Sequence, residues 1–166
     1  MVGGGRRGLA LARELVADGH AVRVVTRSED RRAEIEAAGC ECWIGDPDRI
    51  GTLRYALDNV TILLWALGTA GGDPEKVAAL HGSRLAMMLE RSVDTTVRGV
   101  VYETAGTVPG EVLCGGAGEV RRAHEANELP YALLGADPGD GAGWAQAARE
   151  AIDVLLGPRA PLATAR

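Results

Sequence analysis

The sequence predicts an α/β protein: a doubly wound, mostly parallel sheet held between two layers of helices. Three observations carry that expectation. Short β-branched or apolar runs alternate with stretches of helical period along the whole 166-residue chain. One run, "VTILLWAL" at 60–67, is apolar on both faces, as a central parallel strand needs to be. Three glycines, Gly3, Gly5 and Gly8, stand between a strand-like residue and an amphipathic helix.

The elements follow in order. Only Met1 and Val2 precede Gly3, far fewer than the roughly five or six residues of an average strand. The first strand is therefore expected to be a stub, or to be completed by residues outside this numbering; adding about four apolar residues before Met1 should then raise the melting temperature. Leu9, Ala12, Leu15 and Val16 recur at helical spacing and predict a helix from about Gly8 to Ala17. "GHAVRVVTR" reads as a turn and a β-branched strand, and Ser28 can cap a helix over 29–38. "CECWIGD" is a strand with Cys40 and Cys42 placed on opposite faces, followed by a short helix around 49–57 and the apolar central strand. A helix within 75–91, the strand "RGVVYETAG", a glycine-rich loop, a helix over 119–127, the strand "PYALLGA" and a helix over 144–156 complete the domain, 1–157. The remaining residues, 158–166, carry proline and small residues and are expected to form a loose tail.

Composition narrows the function classes. A net charge of −5 argues against a nucleic-acid surface. The charge is uneven: residues 1–32 hold seven arginines against four acids, a local +3, while the rest carries 11 basic and 19 acidic residues. A small positive site in an acidic protein suits a small anionic ligand. No run of about 18 apolar residues predicts a membrane span, and the N-terminus lacks the apolar region of a signal peptide. The three cysteines, an odd count, read as ordinary thiols of a reducing compartment, so the expected location is cytoplasmic and no metal site is expected.

Gly3, Gly5 and Gly8 fit G-x-G-x-x-G, the dinucleotide-binding pattern. The first glycine permits the tight turn, the second lets backbone approach a pyrophosphate, and the third lets helix pack on sheet. The helix N-terminus then offers free N–H groups to the phosphates, with Arg6 and Arg7 beside them. The end of the second strand decides more. A site for NAD usually places Asp or Glu there, on the ribose hydroxyls; this chain has Thr26, Arg27 and Ser28. A guanidinium suits a 2′-phosphate, so NADP(H) is favoured over NAD(H), with Arg6, Arg31 or Arg32 as a second contact. The missing acid also weakens an S-adenosylmethionine reading.

These segments resemble the extended and atypical short-chain dehydrogenase/reductases, especially the NmrA-like NAD(P)-binding proteins. "GGGRRGLALARELVADGHAVRVVTR" resembles their glycine loop, first helix and basic end of strand two. "GCECWIGDPDRIGTLRYALDNVTILLWALG", "VRGVVYETAG" and "AHEANELPYALLGADPG" resemble their later strands and connections. The resemblance implies a Rossmann sheet of strand order 3-2-1-4-5-6. It places Asp46 at the adenine amino group, Pro47 in that pocket's wall, Ala66, Leu67 and Gly68 beside the ribose, and Thr104 near the nicotinamide. Two departures stand out. Position 2 is Val where the family's extended glycine pattern has Gly, and the catalytic Tyr-x-x-x-Lys pair is absent: the residues four beyond Tyr55, Tyr102 and Tyr131 are Asn59, Gly106 and Gly135. Without a lysine to lower a tyrosine's pKa, the usual proton donor is missing. Two readings remain open: an NADPH-dependent oxidoreductase on a small molecule, and a non-catalytic dinucleotide sensor, either of which leaves room for a homo-oligomer. Glu103, Tyr102, His81 and the three tryptophans read as strand-end, core or interface residues.

Overall fold

In the computed structural model, residues 1–157 are described; the expected tail, 158–166, lies outside the described residues. Six parallel strands form one sheet in the order β3-β2-β1-β4-β5-β6: β1 (Val2–Gly3), β2 (Arg23–Thr26), β3 (Glu41–Ile44), β4 (Ile62–Ala66), β5 (Gly99–Glu103) and β6 (Tyr131–Leu134). This is the expected doubly wound topology. Val2 pairs with Val25 on one side and Trp65 on the other, which puts the stub of β1 at the centre of the sheet.

Two apolar layers hold the helices on. Helix α1 (Gly5–Ala17), α2 (Arg32–Ala37) and α6 (Gly141–Leu156) cover one face. Leu11, Leu15, Trp144, Ala148 and Ile152 meet Leu64, Ala66, Val101 and Leu134 there, while Leu9 and Ala12 meet Ile35 and Val24. Helix α3 (Pro74–His81), α4 (Ser83–Ser92) and α5 (Gly110–Asn127) cover the other, where Leu85, Met88, Leu89, Ala117 and Val120 pack on Trp65, Val100 and Tyr102. Apolar side chains thus alternate between faces along β4 and β5, as a strand buried on both sides requires.

Several expected boundaries shift, each for a local reason. Helix α1 begins at Gly5 rather than Gly8, since its first turn is made by the glycine loop itself. Ser28 does cap, accepting from the Asp30 N–H at 3.3 Å, but the first turn is a 3-10 turn, Glu29–Arg31. The single helix expected within 75–91 is two, broken at Gly82. Helix α5 starts nine residues before the expected Glu119, at Gly110, so "CGGAG" is helix and not loop. Gly116 explains why: a Cβ there would collide with the Tyr102 hydroxyl, so glycine lets the helix lie directly on β5. Cys40 and Cys42, two apart, share a face and pack in one cluster with Ile35 and Val24.

Candidate dinucleotide site

All six strands run the same way, so Gly3, Thr26, Ala66, Glu103 and Leu134 finish at one edge of the sheet. The strand order reverses between β1 and β4, and ligands of open α/β sheets bind in the crevice at that reversal. The glycine loop lies on it. Gly3 and Gly4 both have positive φ, +81° and +85°, and a Cβ on Gly3 would strike the Ala66 carbonyl oxygen. The Gly4 N–H donates to that same oxygen at 2.8 Å, pinning the loop to the end of β4. Gly4 is the N-cap of α1 and supplies no side-chain acceptor, so the first-turn N–H groups receive none from the cap. That is the cradle a pyrophosphate needs.

The basic residues divide sharply. Arg6 and Arg27 are exposed, and among the described residues neither guanidinium has a hydrogen-bond or ion-pair partner. Arg31 and Arg32 are engaged instead, Arg31 with Glu34 at 3.2 Å and Arg32 with Glu29 and Glu36. Thr26 is buried, its hydroxyl accepting from the Ser28 N–H at 3.2 Å, so the turn holds Arg27 outward at the end of β2.

Arg7 behaves differently from the sequence expectation. Its guanidinium turns across the strand ends to Glu103, with Nη2 2.6 Å from Oε1, while Nη1 donates to Thr69 Oγ1 at 3.1 Å. Glu103, read from sequence as a strand-end residue, has no exposed surface. Its carboxylate also accepts from the Gly68 N–H at 2.6 Å and from Trp144 Nε1 at 2.7 Å. The Arg7 guanidinium lies 4.8 Å from the Trp144 ring centroid. A buried charge is tolerated when it is paired and its lone pairs are filled, and breaking such a pair costs about 3–5 kcal/mol. This clamp joins α1, the loop after β4, the end of β5 and α6. Sequence reasoning missed it because its members are 96 and 41 residues apart in the chain; the one signal was an acid in an otherwise apolar strand.

The remaining expected residues have these positions. Asp46 and buried Pro47 follow β3; Asp46 Oδ1 accepts from the Asp48 N–H at 3.0 Å and Oδ2 lies 3.6 Å from Arg49. Ala66, Leu67 and Gly68 leave β4 beside the glycine loop. Thr104 follows β5, and both its N–H and its hydroxyl donate to the Leu134 carbonyl, at 2.9 and 3.2 Å. Tyr102 is fully buried and pairs with His81, Nδ1 to hydroxyl 2.7 Å, beneath the site rather than in it. Burial pushes the Tyr102 hydroxyl's pKa up and that of His81 down.

A cavity of about 470 Å³ opens at the opposite edge of the sheet, lined among others by Val22, Arg23, Ile62, Leu64 and Ile152. It holds none of the glycine loop. Above it the amine of Met1 donates to the Arg23 carbonyl at 2.7 Å, and burial lowers that amine's pKa to about 5. No metal-ligating cluster occurs among the described residues, and none of their helices is long and apolar enough to cross a membrane.

Residues 3–112 match the family model described as NAD(P)H-binding. The chain belongs to that family. Among solved structures, triphenylmethane reductase of Citrobacter sp. complexed with NADP(H) superposes with a TM-score of 0.62 at 18% identity, over 80% of this chain and 47% of that one. A short-chain dehydrogenase/reductase superfamily protein of Agrobacterium tumefaciens with bound NAD gives 0.66 at 19%, over 80% and 47%. UDP-glucose 4-epimerase of Thermotoga maritima gives 0.66 at 13%, over 80% and 53%. These likenesses are of fold, and the chain spans about half the length of the structures it matches. No curated protein matches the sequence.

Proposed function

We propose that this NAD(P)H-binding chain takes NADP(H) in preference to NAD(H), and that it acts as a dinucleotide-binding module in the cytoplasm rather than as a carbonyl reductase of Tyr–Lys type. The observation that carries the preference is Arg27: exposed, without a partner among the described residues, and placed at the end of β2 where a ribose-binding acid would otherwise stand. The neighbouring Arg31 and Arg32 are paired with glutamates, which leaves Arg27 and Arg6 as the arginines near the end of β2 and the glycine loop with no partner among the described residues. The glycine loop, Thr26 and Ser28 would bound the phosphates and adenosine ribose, and Asp46 and Pro47 the adenine. The solved relatives include complexes with NADP(H) and with NAD, so they do not by themselves favour one cofactor. Arg7 enters this site through its main chain, since its guanidinium is committed to Glu103.

Hydride transfer is the chemistry a bound nicotinamide cofactor supplies. Against a reductase role stand the missing Tyr-x-x-x-Lys pair and the burial of Tyr102 against His81. The deciding experiment is titration of wild type and Arg27→Ala with NADPH and NADH. Loss of a charge-assisted hydrogen bond should weaken NADPH by about 1.5–3 kcal/mol and leave NADH nearly unchanged. Equal losses for both cofactors would remove Arg27 as selector.

A further inference from the structure

The two ends of the candidate crevice differ in how many of their polar groups are already spoken for. At the end formed by β1, α1 and β2, the first-turn N–H groups of α1 have no capping side chain, and Arg6 and Arg27 are exposed and, among the described residues, unpartnered. At the end formed by β4 and β5 the commitments are internal. The Gly68 N–H donates to Glu103 at 2.6 Å, and its carbonyl accepts from the Val108 N–H at 3.0 Å. Thr69 Oγ1 takes Arg7, and Thr104 gives both its donors to Leu134. The loops after β4 and β5 also touch directly: a Cβ on Gly106 would collide with the Gly68 carbonyl, and a Cβ on Gly68 with the Ala105 carbonyl. Two glycines let these loops close on each other, and the Arg7–Glu103 pair straps the glycine loop to them.

We propose that this site recognises the ADP-ribosyl half of the dinucleotide, with its 2′-phosphate, and leaves the nicotinamide half in solvent. The inference rests on the dinucleotide reading above and says which part of that ligand supplies the binding energy. A nicotinamide seated between the loops after β4 and β5 would have to part the Gly68–Gly106 contact. Its carboxamide would find the Gly68 N–H and both Thr104 donors already engaged, and burying an amide without partners is unfavourable. Parting the strap as well would leave Glu103 buried with its charge unpaired. No such cost falls on the adenosine and diphosphate, whose prospective partners are unengaged among the described residues. The ligand class is thus any adenosine nucleotide carrying the diphosphate and 2′-phosphate, reduced, oxidised or lacking nicotinamide altogether, and the module would report the pool without turning it over.

The test uses the full chain and four probes: NADPH, 2′-phospho-ADP-ribose, NADH and ADP-ribose, each titrated calorimetrically, with the nicotinamide emission of NADPH followed in parallel. Within each pair, NADPH with 2′-phospho-ADP-ribose and NADH with ADP-ribose, the dissociation constants should agree to within about fivefold. The emission maximum of bound NADPH should stay where it is for free NADPH. A dinucleotide tighter than its nicotinamide-free partner by more than that margin, or a shifted emission, overturns this inference and leaves dinucleotide binding standing. Failure of all four probes to bind overturns both.

Discussion

Arg6 and Arg7 are adjacent, identical in chemistry, and opposite in employment. Arg6 is exposed at the first turn of α1, whereas Arg7 is the lid of a carboxylate with no solvent of its own. Neither fate is written in the dipeptide; it follows from where helical rotation points each side chain relative to β5. His81 is a comparable case. The Leu67 carbonyl, 3.2 Å from Nε2, can only accept, which fixes the ring proton on Nε2 and leaves Nδ1 to accept from the Tyr102 hydroxyl. Burial lowers the pKa of this imidazole, with the Leu67 hydrogen bond opposing. Because the folded pKa lies below the unfolded value near 6.5, the unfolded chain binds more protons as the pH falls through that value. Stability should therefore drop as the pH falls below about 6.5, the drop ending once the folded imidazole is protonated too. His81→Gln should flatten that part of the profile. Denaturant midpoints measured across this range check it, and an unchanged slope in the variant would assign the pH dependence to other groups.

At the scale of elements, α5 shows how a poor helix sequence becomes a long helix. Gly110, Gly115, Gly116 and Gly118 lie in it, and glycine in a helix interior costs roughly 0.5–1 kcal/mol relative to alanine. Packing of Leu113, Ala117 and Val120 offsets that cost, and Gly116 permits the close approach to Tyr102 on which the packing depends. The glycines should separate cleanly on substitution. Gly115→Ala, where a Cβ meets nothing within 4 Å, should stabilise the protein by about 0.5–1 kcal/mol. Gly116→Ala should destabilise it by about 1–3 kcal/mol, because the new methyl overlaps Tyr102 and the His81 carbonyl and outweighs the propensity gain. Chemical denaturation of the two variants decides it; equal effects would show that the α5–β5 contact is soft.

For the molecule as a whole, the site joins elements that the core packs only edge to edge. The glycine loop, the end of β2 and the loop after β4 meet where the strand order reverses, so a ligand seated there binds the folded state alone. NADPH at 100 times its dissociation constant should then add about 2.7 kcal/mol to the unfolding free energy, with a melting temperature that rises further with the logarithm of ligand concentration. Differential scanning with NADPH, a flavin and S-adenosylmethionine measures this directly. A shift with either of the other two in place of NADPH would overturn the NADP(H) assignment.

The sequence by itself determined the order of the strands and most of the helices, the parallel sheet and the place of the glycine loop. These are local quantities. The period of apolar residues tells strand from helix, a both-faces-apolar run such as 60–67 suits a strand buried on both sides, and glycines at 3, 5 and 8 change what the backbone can do on the spot. That Arg27 directly follows the second strand was legible for the same reason, since the β-branched run before it is a local pattern. The tertiary structure alone decided the start of α5, because contact with β5 overrode weak local propensity. It alone decided that Arg7 is strapped to Glu103 and Trp144 while Arg6 is exposed and, among the described residues, unpartnered. A buried ion pair is made by residues the chain brings together from 41 and 96 positions apart, and no local pattern records such a meeting.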